Sequence, residues 1–150
     1  MLSPTTLGMP TAPVKTNQLC LEMKECLLAI GWQLASLQEL VDTGVTGHQL
    51  ALSETFQVKQ SRVLNTVLLE LYQLNLKAET LRLPEASELF VALETFLRHY
   101  LTHSHHSVTH MLKTIQRGLA WGDQLLNKLI LGDALPSSGF RTFMYNLKAE

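Results

Sequence analysis

The chain has 150 residues, 12 of them basic and 13 acidic, giving a formal net charge of −1. This length suits one domain, with enough buried surface to need no disulfide or metal staple. A charge balance this even excludes the Lys/Arg-rich face that nucleic acid requires, and it argues equally against an anionic membrane surface. Hydrophobic residues reach 46% while charged ones make up 17%, below the ordinary share of about 25%. Charge this sparse accompanies either an enlarged core or an apolar face kept for another chain.

Residues 1–14, with Pro4, Pro10 and Pro13 among Thr and Gly, read as a disordered tail. The stretch to Lys15 has neither the charged start nor the apolar centre of a signal peptide. No apolar run approaches the ~18 residues of a membrane span, so the expectation is a soluble, cytoplasmic protein with no membrane insertion.

The first helix is expected from about Thr16 to Val41. Leu19, Met23, Cys26, Ile30, Leu34, Leu37 and Val41 recur at steps of three and four, the stripe of a helix-on-helix seam. Cys20 and Cys26 point about 240° apart on such a helix, so they neither bridge nor share a metal; both read as small core residues of a reduced compartment. Asp42-Thr43-Gly44 closes the helix, Gly44 supplying the left-handed residue.

A second helix opens near Thr46, where Thr46 and Gln49 have capping-box spacing, and runs to about Thr80. Phe56, Val63, Val67, Leu71 and Leu74 mark its seam, widened by Leu64 and Leu68. Gln60 lies on that seam, where a polar residue sets register. Pro84 then fits the first turn of a third helix, with Glu85 and Glu88 at the positive end of its dipole. Leu89, Leu93, Phe96, Tyr100, Val108, Met111, Ile115 and Leu119 carry the apolar face on towards Leu131. Unbroken, this helix has ~48 residues and is ~72 Å long; Thr102 to Ser107 is the place for an interruption and Gly118 and Gly122 for a bend. Residues 132–139 form a loop.

A short last helix follows, within a loop-and-helix segment over 132–150. Phe140, Phe143, Met144 and Leu147 lie at i, i+3, i+4 and i+7, a one-sided stripe in about ten residues. Isolated helices below ~12–15 residues are marginal in water, so this one needs a surface, its own bundle's or a partner's. The fold expected is all-α: an antiparallel helical bundle over 15–131 with long helices and a short amphipathic C-terminal helix.

His99, His103, His106 and His110 share an arc of about 60° on an unbroken helix. With no carboxylate or Cys among them they read as solvated surface histidines, with a metal or acid-sensing module as the alternative. Trp32 and Trp121 read as packing residues. No nucleophile elbow, phosphate-cradling loop, HExxH or CxxC motif occurs, so neither enzyme chemistry nor a cofactor is expected. One segment, His110-Met111-Leu112-Lys113 with Leu119 and Ala120 further on, resembles the core of histidine phosphotransfer domains, which are four-helix bundles with an exposed His. The resemblance implies His110 as phosphoacceptor and Lys113 as its charge partner; Thr114 stands where that family carries Gly.

The layout as a whole resembles the FlgN-type flagellar export chaperones. The stretch that carries this is Gly47-His48-Gln49-Leu50, then Lys59-Gln60-Ser61-Arg62-Val63-Leu64, then Leu68-Leu69-Glu70-Leu71, with weaker matches at Leu97-Arg98, Ile115-Gln116-Arg117 and Leu125-Leu126. Ser104-His105-His106-Ser107 replaces that family's Asn-rich signature. The resemblance implies a cytosolic chaperone that shields the C-terminal helix of hook–filament junction proteins, covering it with a long third helix and tail, and delivers them to the export apparatus. Ile115, Leu119, Leu126, Phe140, Phe143, Met144 and Leu147 are the expected contacts with a client helix.

Overall fold

The computed structural model describes the backbone of residues 4–43, 54–103, 107–131 and 137–149, and the side chains of 17–42, 56–103, 107–128 and 139–149. Among the described residues it is all-α: α1 is Pro4–Thr43, α2 Glu54–Thr80, α3 Pro84–His103, α4 Val108–Leu131 and α5 Ser137–Ala149. The turn expected at 42–46 and the capping box at Thr46 and Gln49 lie largely or wholly outside the described residues.

Two boundaries differ from the periodicity reading, and the long third helix breaks within Thr102 to Ser107, the place marked for an interruption. The α1 helix begins at Pro4, well before Thr16, on a first-turn proline whose missing N–H costs nothing. The third helix is not continuous. It is α3 and α4, and α4 starts afresh on Ser107, whose Oγ accepts the His110 N–H at 3.0 Å while its carbonyl accepts the Met111 N–H. That is an N-cap, and it satisfies a donor an unbroken helix would have bonded internally. Lastly, α5 has 13 residues rather than ten.

The link from α2 to α3 is equally specific. Leu83 N–H bonds Ala78 O at 2.9 Å and Arg82 N–H bonds Glu79 O at 3.0 Å, a Schellman closure. Arg82 takes the left-handed conformation that it needs, φ 57°. Leu83 then packs against the core, and its carbonyl receives the Ser87 N–H in the first turn of α3.

The seams assemble into one core. On α1 it is Cys20, Met23, Leu27, Ile30, Leu34 and Leu37 that are buried, so the helix is turned slightly from the expected stripe and Cys26 and Val41 are only half-buried. On α2 the expected Phe56, Leu64, Val67, Leu68, Leu71 and Leu74 are all inside. The α3 helix packs on α2, α4 and α5, and α1 packs on α2 and α4, closing a ring of four helices with α5 outside it. Polar clasps set the register. Tyr100 donates to Gln60 at 3.0 Å near one end of α2·α3 and Ser87 donates to Asn75 near the other, so the two run antiparallel. Gln60 thus holds register as its seam position predicts, and burial pushes the Tyr100 phenol up from its usual pKa. Lys24 reaches Asp123 at 3.1 Å between α1 and α4.

Glycines let α4 come close. A Cβ at Gly118 would overlap the Leu93 side chain, and one at Gly122 would press on the Phe90 ring at 3.2 Å, where Leu27 also lies. Gly31 on α1 has nothing within 4 Å. Two outcomes of opposite sign follow for urea unfolding. Gly118→Ala should lose about 1–2 kcal/mol, overpacking outweighing better helix propensity. Gly31→Ala should gain about 0.5–1 kcal/mol from propensity alone. A third change, Arg82→Gly, should raise stability by about 0.5–1 kcal/mol by relieving the left-handed residue. A loss at Arg82→Gly would contradict the closure described.

Candidate functional site

The C-terminal stripe finds its surface on its own bundle. Phe140, Met144 and Leu147 are buried, Phe143 is half-buried, and α5 lies on α3. Phe140 meets the half-buried Trp121 of α4 edge-to-face with ring centroids 5.6 Å apart. Gly139 passes close beneath the same indole, where a Cβ would come to 3.2 Å. At the other end Lys148 bonds Glu88 of α3, and both side chains are half-exposed.

The fit is incomplete. Along the α3–α5 seam runs a groove of about 520 Å³, lined by Val91, Ala92, Thr95, Phe96 and His99 of α3 and by Leu147, with the Glu88–Lys148 pair at one end. Its lining is mainly apolar, and Val91 stands 45% exposed at its edge. Thr95 spends its hydroxyl on the Val91 carbonyl, so the wall offers little polar competition there. A groove of this size and polarity is what an apolar row of side chains fills.

The expected contact residues divide. Leu147 lines this groove; Phe140, Phe143 and Met144 face the bundle beside it. Ile115 and Leu126 are fully buried and Leu119 nearly so, all three inside the bundle core and closed to a partner while it is intact. An apolar period reports that a face is covered and says nothing of what covers it, which is why core and contact residues look alike in sequence.

Other apolar side chains point outward. Leu21, Leu28 and Trp32 form a stripe on α1, with Trp32 76% exposed, so of the two tryptophans only Trp121 is a packing residue. Val58, Leu69, Tyr72 and Leu76 form another on α2. Both have helical spacing opposite the buried seam, a signal present in the sequence that the stronger inner stripe masks.

The histidines do not share one face, because the helix breaks between them. His99 and His103 stack on α3 at 4.3 Å, while the exposed His110 sits in the first turn of α4 with its ring 6.4 Å from that of Phe96. His106 lies outside the described residues. Among those described, no group of three or more His, Cys, Asp or Glu is placed to hold a metal ion. Lys113 is exposed one turn on from His110, and Thr114 is buried, its side chain turned inward. No described helix is long and apolar enough to cross a membrane. In comparison with known proteins, the chain matches no family model, no curated protein and no solved structure.

Among the described residues, Cys26 carries the largest electrostatic perturbation. Its Sγ lies 3.0 Å from Glu70 Oε2 between α1 and α2, and burial, then the thiol–carboxylate hydrogen bond, then the Glu70 charge push its pKa up to about 12. The neutral thiol is the favoured form. Its stabilisation is therefore full at neutral pH and drains as pH rises from 9 towards 12. Very little of the thiol is ionised at pH 8. A disulfide reagent at that pH should label Cys26 slowly, and Glu70→Gln should speed the labelling. Labelling of native Cys26 at the rate of a free thiol would contradict the contact.

Proposed function

We propose that this chain is a cytoplasmic, non-enzymatic helical adaptor that shields an amphipathic helix of a client protein in the groove between α3 and α5. The observation that carries the reading is the open apolar channel of about 520 Å³ at Val91, Ala92, Phe96 and Leu147, framed by charged residues at one end. Docking there needs only apolar burial and exchange, with no covalent step. The low charge fraction and the exposed stripes on α1 and α2 support a protein that meets other chains. Hook–filament junction proteins and the export apparatus are the partners that the FlgN-type layout implies. The division of the long third helix into α3 and α4 departs from that layout, so the client class rests on the resemblance and the groove does not depend on it.

A second reading has its own observation. His110 and Lys113 are both exposed, one turn apart, on a four-helix bundle, and the buried Thr114 does not crowd them. This arrangement fits a histidine phosphotransfer protein that receives a phosphoryl group on His110.

Two measurements separate the readings. A labelled peptide of a junction protein's C-terminal amphipathic helix should bind the native protein in fluorescence anisotropy. Val91→Asp should weaken that binding at least tenfold with helicity unchanged, since Val91 is already half in solvent. Undiminished affinity would remove the groove from the account. Incubation with an acetyl-phosphate-charged response regulator should leave no acid-labile label; label on His110, lost in His110→Gln, would favour phosphotransfer instead.

A further inference from the structure

We infer that α5 is a built-in competitor for the surface it covers, and that the partner displacing it is an amphipathic helix patterned like α5 itself. The inference rests on the helix-binding reading of the groove given above. It adds the regulation of that site and the order of side chains the site accepts.

The seat is defined by α5, which occupies it. Three side chains, Phe140, Met144 and Leu147, press inward at i, i+4 and i+7, Phe143 adds a half-buried ring at i+3, and Lys148 follows at i+8 to meet Glu88. A competing helix therefore carries large apolar residues at those four positions and a cation one residue after the last. Its basic end lies against Glu88.

The fastening is slight. The α5 helix packs on one face of α3 and touches α4 through the Trp121 ring, outside the ring of four helices. Its terminal ion pair is half-exposed on both sides, so solvent and salt screen it. Beside its C-terminal end the groove of about 520 Å³ lies open on α3, and α5 walls it with Leu147 and Lys148 alone, so apolar surface next to the seat is left uncovered. With 13 residues α5 does not hold its coil alone, so leaving the bundle means melting. The two acts are one step, which makes its opening a local event separate from unfolding of α1–α4. A tighter-fitting helix that also fills the channel wins the exchange.

Two measurements on the full chain test this. Native-state hydrogen exchange should show α5 amides exchanging at least 100-fold faster than those of α3. A labelled peptide of residues 137–149, added in trans, should bind Met144→Asp at least tenfold more tightly than the native protein, and Ala92→Arg in the same background should abolish the binding. Equal protection of α5 and α3 would overturn the proposal, as would a folded Met144→Asp protein that ignores the peptide. If Met144→Asp loses its helicity, the exchange measurement on the native chain decides alone. Failure of a client peptide to bind native protein would sink the adaptor reading without altering either of these readouts.

Discussion

The burial of α3 is the constraint from which the rest follows. Its Ala86, Leu89, Phe90, Ala92, Leu93, Phe96, Leu97 and Tyr100 are all buried and span an arc of about 160°. No single neighbour covers an arc that wide, because helix pairs share a narrow seam. The chain answers with α2 on one flank and α4 on the other, and α5 lies over the edge at Ala92 and Phe96. Large side chains on α3 are matched by glycines on α4, with Leu93 over Gly118 and Phe90 over Gly122, so α4 approaches closely. Two tight connections make the arrangement possible, the Schellman closure at Arg82 and the cap at Ser107.

Much of this is legible in the sequence. Steps of three and four marked Met23, Ile30, Leu34 and Leu37 on α1 and nearly all the buried residues of α2, and Gln60 stood out as a polar seam residue. The break between α3 and α4 falls within Thr102 to Ser107, the place the sequence offers for an interruption, although the apolar period alone does not demand one. Apolar period continues across it, so residues 84–131 look like one stripe even though the chain turns back within them. The signal was Ser107 three residues before His110, a cap hidden in a Ser-His-His-Ser segment whose histidines draw notice as ligands. The histidine arc belongs to the unbroken alternative, since a face shared by His99 and His110 exists only on a continuous helix.

The site shows the limit of periodicity from the other side. Phe140, Phe143, Met144 and Leu147 announced an amphipathic helix in need of a surface, and α3 provides it. Ile115, Leu119 and Leu126 carried the same kind of pattern and belong to the core. What separates them is exposure of the receiving face, a property of three helices together. The α3–α5 channel likewise has no signature of its own, because Val91 and Leu147 are distant in sequence and meet only in the folded bundle. Trp32, bare on α1, is the reverse case, a residue type associated with packing that the fold leaves in solvent.

The claim most central to function is that the α3–α5 channel receives an amphipathic helix, and methyl-detected nuclear magnetic resonance of the full chain tests it most directly. On titration with a peptide carrying the apolar order of α5, the methyl signals of Val91, Ala92 and Leu147 should shift first and together, those of Leu21, Leu28 and Leu69 staying in place. Shifts confined to the outer stripes of α1 and α2, with the channel methyls unmoved, would contradict the account.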